Sequence, residues 1–219
     1  MTIRAKLYAA IVLTILGPLA TTAVALHGMG QMGDRFDEVQ ERSAHEAAAL
    51  RLKFAVTDVN GWQTAYGYDK GRSRPVFEQV VADLRRDLRR ASAALTDRRE
   101  RDLVGELRRD FDSFMALDAV AYRALQAGRE RRVRDIFLGP EIARFDAMKV
   151  TAEELARYER ERAAAADRAF DDARDDARKR LITVALGAGI VIVLLLITAS
   201  DVARMALEGE RHARARSDD

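Results

Sequence analysis

The chain has 219 residues, 33% of them charged and 48% hydrophobic, with 37 Lys+Arg against 35 Asp+Glu, three Pro and no Cys. That leaves room for one domain or two small ones, excludes disulfides and thiolate metal or redox centres, and, at a net charge of +2, argues against a nucleic-acid footprint. With His27, His45 and His212 scattered, neither a metal site nor a cofactor is expected, and so few helix breakers in an alanine-rich chain predict helix almost throughout.

Residues 1–6 carry Arg4 and Lys6 and precede an uncharged apolar run, Leu7–Leu26, of 20 residues. At about 1.5 Å per residue it matches the ~30 Å hydrocarbon core of a bilayer, and Pro18 is tolerated there. Ala23-Val24-Ala25 resembles a signal-peptidase site. The length of the run and the helix-compatible sequence after it point instead to an uncleaved span. A second run, Leu181–Ala199, has 19 uncharged residues and the same reading. Arg204, Arg211, Arg214 and Arg216 follow it, so the short basic flanks place both termini in the cytoplasm. Residues 27–180 then form an extracytoplasmic domain, and residues 200–219 a cytoplasmic tail.

Breaks within 27–180 are few. Gly71-Arg72-Ser73-Arg74-Pro75 ends one helix and opens another. Asp97 and Glu100 have capping-box spacing. Gly128 suits a helix C-terminus, and Gly139-Pro140-Glu141 combines a stop with a start. The predicted helices are 27–69, 75–95, 98–127 and 140–180, with a short helical piece at 129–138. Apolar stripes recur in each: Phe77, Val80, Val81, Leu84, Leu88, Ala91 and Leu95 in the second; Leu103, Leu107, Phe111, Phe114, Leu117, Ala121 and Leu125 in the third. In the fourth it is Ile142, Phe145, Met148, Ala152 and Leu155, turning to alanine from Ala163 to Ala177. The expected fold is all-α, a membrane-anchored antiparallel up-down-up-down four-helix bundle between two transmembrane helices. The first and fourth helices are about twice as long as the second, so near the membrane they stand alone. That predicts a homodimer in which a second subunit completes the stalk.

The segment Val59–Asp69, VNGWQTAYGYD, gathers the only Trp, two Tyr, two carboxamides and two glycines. One line through it, Phe54, Thr57, Gly61, Ala65 and Tyr68, reads as the continuing core stripe. A second, Ala55, Val59, Trp62 and Tyr66, lies beside it. Carboxamides and aromatic edges on an apolar wall suit a ligand, which makes Asn60, Trp62, Gln63 and Tyr66 the candidate binding residues. A dimer contact or a merely widened buried face explains the same composition.

This segment and Arg134–Met148, RDIFLGPEIARFDAM, resemble parts of the four-helix-bundle sensor modules of bacterial methyl-accepting chemotaxis receptors and related histidine kinases. The resemblance covers about residues 1–200. It implies a homodimer that binds a small molecule at the distal subunit interface and moves its fourth helix like a piston. The 20 residues after the second span are too short for a kinase, cyclase or methylation segment, so the expected signal passes to a separate membrane or cytoplasmic protein. The basic stretches Arg85–Arg101 and Arg129–Arg134 read chiefly as self-paired solvated faces. His45 has no catalytic companion in sequence, and neither a phosphate-cradling loop nor a nucleophile elbow is present, so an enzyme is not expected. Two functions stand: a two-span membrane sensor or signalling accessory with an unidentified small-molecule ligand, or a structural envelope scaffold with none.

Overall fold

Helix accounts for nearly all of the chain in the computed structural model, which describes the backbone of residues 3–215 and the side chains of residues 8, 12, 14–200 and 204. In order these are α1 (Ile3–Tyr68), α2 (Arg74–Ala94), α3 (Arg98–Gln126), α4 (Glu130–Ile136), a π-turn (Phe137–Glu141) and α5 (Ile142–Ala215), with no strand among the described residues. The chain is all-α, as its composition predicts.

Local chemistry sets the ends. Pro75 sits in the first turn of α2, where its missing N–H costs nothing. Asp97 caps α3 by accepting from the Arg99 N–H, while Glu100 accepts from the Asp97 N–H, which completes the capping box. Gly128, at φ +68°, ends α3 in a Schellman motif: its own N–H donates to the Leu125 carbonyl and that of Arg129 to the Ala124 carbonyl. At the end of α1 the corresponding left-handed residue is Lys70, at φ +61°, one position before the glycine expected to do this. Gly71 follows at φ +93° and donates to the Tyr66 carbonyl. At Gly139, with φ −112° and ψ −107°, the helical path breaks before Pro140 and α5 begins.

Residues 37–168 form one compact unit. Its core draws on α1, α2, α3 and α5 together, with Leu52, Val56, Phe77, Leu84, Leu107, Phe111, Met148 and Leu155 buried. The buried residues follow a 3–4 spacing: 45, 49, 52, 56, 59, 63 and 66 on α1, and 77, 81, 84, 88, 91 and 95 at α2. That heptad rhythm is the signature of helices wound gently around one another. The expected stripes of α2 and α3 match this core, apart from half-buried Val80, Leu117 and Leu125. The expected line on α1 does not. Phe54 is 64% exposed and Tyr68 92%, whereas Tyr66 is fully buried. At the start of α5 the inward residue is Glu141 rather than Ile142. α4 lies against α3, with Val133 and Ile136 buried.

The other unit comprises residues 1–36 of the chain with 169–219. Phe36 and Phe170 face one another there with ring centroids 6.2 Å apart. Its apolar residues are exposed: Ile15, Leu16 and Leu19 on α1, and Leu186, Ile190 and Leu196 on α5. Among the described residues, the helix running up to Ser200 is long and apolar enough to cross a membrane, with mean hydropathy 2.8 and none of that stretch buried. A continuous exposed apolar surface of this kind is compatible with association with lipid. The first residues of the Leu7–Leu26 run, Arg4 and Lys6 before it, and His212, Arg211, Arg214 and Arg216 lie outside the residues whose side chains are described.

The two glycines of the VNGWQTAYGYD segment differ in surroundings. Space is open around Gly61, while a methyl on Gly67 would run into the Phe137 ring. Gly61→Ala is expected to stabilise the fold by about 0.5–1 kcal/mol through helix propensity. Gly67→Ala is expected to destabilise it by about 1–3 kcal/mol through overpacking. Thermal unfolding followed by the helical circular dichroism signal checks both, and equal gains at the two positions would refute the Gly67–Phe137 approach.

Candidate functional site

The core lines of α1, α3 and α5 are interrupted by polar residues, and these meet one another across helices. Gln63 and Tyr66 enter from α1, Arg74 from the start of α2, Asp118 from α3, and Glu141 from the residue before α5. Gln63, Asp118 and Glu141 are all buried, as is Tyr66. In a helical core such groups persist only when they satisfy one another.

Asp118 is the hub. It accepts hydrogen bonds from the Tyr66 hydroxyl and, at 2.8 Å, from Arg74 Nη1. The Arg74 guanidinium in turn lies over three rings, 4.9 Å from the centroid of Tyr66, 4.7 Å from Phe77 and 4.3 Å from Tyr122. Tyr66 meets Phe77, Tyr122 and Phe137 edge to face. This is an aromatic cage of the kind that binds a cation, filled by a cation of the protein itself. Next to it the Gln63 amide donates to Glu141 Oε1, and Glu141 Oε2 has no hydrogen-bond partner.

Burial dominates the proton equilibria. It pushes the Glu141 carboxyl up to about 8, with the Asp118 charge adding to the effect and the Gln63 hydrogen bond opposing it. The Tyr66 hydroxyl is also pushed up, by burial first and then by the Asp118 charge. Burial raises the Asp118 carboxyl as well, against the pull of the Tyr66 hydrogen bond and the Arg74 charge.

The four candidate residues divide between two faces. Gln63 and Tyr66 point into the core and join the Asp118 constellation. Trp62 is 39% exposed, and Asn60 is half-buried, its backbone carbonyl accepting from the Thr64 hydroxyl. Arg74, Asp118 and Glu141, which complete the constellation, were not singled out from sequence. Their signal was available: Asp118 continues the 104, 107, 111, 114 line of α3, where an acid would otherwise be solvent-exposed.

Elsewhere, part of the first basic stretch is paired. Arg86 and Arg90 bond Asp83 and Asp87, Arg99 reaches Glu154, and Arg101 donates to the Thr96 carbonyl. The surface hollow formed by Gly128, Arg129, Arg131 and Arg132 also contains Glu130 and Asp135.

Asp118→Ala leaves the buried Tyr66 hydroxyl unpaired and Arg74 with Glu78, 3.1 Å away, as its remaining carboxylate; it is expected to destabilise the fold more than Tyr66→Phe, which costs about 1–3 kcal/mol, both read from thermal unfolding. Glu141 gives a pH dependence of definite sign. Its acid titrates near 4.5 in an ordinary setting and near 8 in the fold. Between those values the folded chain keeps a proton that the unfolded chain has released, so stability falls as pH rises through this window and levels off above it. Melting temperatures taken across the window are expected to fall less steeply with pH in Glu141→Gln; an unchanged slope would place its origin elsewhere.

Neither a family model, nor a curated protein, nor a solved structure matches this chain, so the constellation is interpreted from its own chemistry.

Proposed function

We propose that the protein is a two-span membrane sensor or signalling accessory, in which an extracytoplasmic, antiparallel up-down-up-down four-helix bundle passes its state through α5 to a partner protein. One observation carries this reading. α5 is a single unbroken helix from Ile142 to Ala215, which takes in both the packed core and the apolar run. A helix is stiff along its axis, so a change at its first turn is felt further along it.

That first turn is where the polar constellation sits. Glu141 immediately precedes α5 and is tied to α1 through Gln63, next to the backbone break at Gly139. A ligand or partner that displaces Glu141 or the α4 segment resets the start of α5 relative to α1. Such a switch requires an effector with unequal affinity for the two arrangements. The resemblance to chemoreceptor sensor modules supports the same assignment. In it, both apolar runs span the membrane, both termini are cytoplasmic, and the chemistry is binding rather than catalysis.

A homodimer belongs to the proposal. The line Phe54, Thr57, Gly61 and Tyr68 on α1 has heptad spacing, yet all four are exposed, and Trp62 borders it. A second apolar seam on a helix that already has a buried one is suited to another helix of the same kind.

The absence of Cys makes the test direct, because each introduced thiol is the only one. Arg131→Cys is expected to react with a membrane-impermeant maleimide in intact cells, and Ala206→Cys only after permeabilisation. Thr57→Cys is expected to cross-link chains into dimers under mild oxidation. Labelling of Ala206→Cys in intact cells would overturn the topology. Failure of cross-links at both Thr57 and Gly61 would overturn the α1 dimer seam. A metabolite screen by thermal shift on the full chain addresses sensing: stabilisation lost in Gln63→Ala supports it, and a flat screen with one co-purifying envelope protein favours the scaffold.

A further inference from the structure

About six helical turns from the Asp118 constellation along α1, a second set of buried polar side chains meets in the same core. His45 comes from α1, Glu100 from the first turn of α3, and Glu159 from α5. Glu100 and Glu159 are fully buried and His45 is 5% exposed. Unlike the first set, this one is not satisfied internally. His45 Nδ1 and both oxygens of Glu159 have no hydrogen-bond partner. Buried polar atoms left without partners are costly.

His45 lies too far from either carboxylate for a hydrogen bond, at a spacing that suits a shared metal ion. His45 Nδ1 lies 3.8 Å from Glu100 Oε1 and 3.9 Å from Glu159 Oε2, and one ligand atom from each of the three residues falls within 4.8 Å of the others. The centre of such a triangle is roughly 2.2–2.8 Å from each corner, so small side-chain adjustments reach the ~2.0–2.2 Å of nitrogen and oxygen bonds to zinc.

The surrounding shell is also arranged for a cation. His45 Nε2 lies 3.9 Å from the exposed Glu41 carboxylate, while Nδ1 is turned toward Glu100 and Glu159. Glu100 is held by the Asp97 N–H at 2.9 Å, by Arg162 at 2.9 Å and by Arg42 at 3.6 Å. Asp97 lies 3.6 Å from Arg162. Four carboxyl groups, those of Glu41, Asp97, Glu100 and Glu159, thus confront two guanidiniums. When ionised they leave an excess of two negative charges, which one divalent cation cancels.

We propose that His45, Glu100 and Glu159 form a binding site for a single divalent cation of the zinc class, joining α1, α3 and α5. One imidazole with two carboxylates and no thiolate is a donor set for Zn2+ and its first-row neighbours rather than for Ca2+ or Mg2+, which take oxygen almost exclusively. The site is structural or regulatory, because the cation would link the α1 and α5 lines of the core.

The test uses the untagged full-length protein in detergent, stripped with chelator and re-equilibrated with Zn2+ or Co2+. Expected are one zinc per chain by elemental analysis and visible cobalt absorption typical of a low-coordinate nitrogen–oxygen site. His45→Gln and Glu159→Gln are each expected to weaken zinc binding by at least about tenfold. His27→Gln, the control, is expected to leave it unchanged. Circular dichroism establishes that each variant is folded, and His45→Gln serves if Glu159→Gln is not. Zinc well below one per chain, or zinc retained at full affinity in folded His45→Gln, would overturn the assignment, as would its loss in His27→Gln.

Discussion

A carboxylate with no water to face must find its partners in the protein, and in the 37–168 unit Asp118 finds them on two other helices. Tyr66 reaches it from α1 and Arg74 from α2, so one buried charge fixes three helices against each other. Apolar stripes alone cannot do this. Leucines and alanines repeating every three or four residues pack nearly as well after a shift of one turn, and cores of that kind lose uniqueness before they lose stability. A charge pair is intolerant of the same shift because it strands both members. The arginine is held three ways, by Asp118 at its tip, by Glu78 at its Nε and by the aromatic rings against its face.

The same principle separates what sequence revealed from what it hid. Helix ends were legible because their chemistry is local: Asp97 and Glu100 are three residues apart, and Pro75 and Gly128 act on their own turns. The lines of α2 and α3 were legible because their apolar residues have a single consistent face. On α1 two lines compete at the same spacing, and the aromatic-rich one through Phe54 and Tyr68 looks the stronger. Which of them is buried depends on what packs there, and that is not written in α1. The polar members of the core were hidden for a related reason. His45, Gln63, Glu100, Asp118, Glu141 and Glu159 all occupy buried positions. Glu100 was legible only as a cap and Gln63 only as a candidate binding residue; elsewhere a polar residue in a stripe ordinarily marks its edge, which hides the contact. The partners are up to 78 residues apart in sequence, as Gln63 and Glu141 are, and no local pattern joins them.

The two polar sets bracket an apolar middle. Between them α1 contributes Ala49, Leu52, Val56 and Val59, α3 contributes Val104 to Phe114, and α5 contributes Met148, Ala152 and Leu155. The middle supplies the hydrophobic stabilisation, and the bracketing sets supply the specification of register. They differ in kind. The Asp118 set is closed on itself except for one oxygen of Glu141, whereas the His45 set leaves three atoms open. A core element that is complete suits a lock, and one that is incomplete suits a visitor.

The buried residues of α5 at 148, 152, 155, 159, 163 and 166 keep the same 3–4 spacing, which has a mechanical corollary. Sliding a helix by three or four residues, about 5 Å, normally brings one apolar layer onto the next, and helices in many assemblies ratchet between such settings. Glu141, the residue before α5, is tied to Gln63 of α1, and a one-turn slide would carry it off that partner. Its travel therefore has a single notch. On the proposed reading the motion left to it is a tilt or a rotation well short of a full turn, which would make α5 a spring-centred lever rather than a rack.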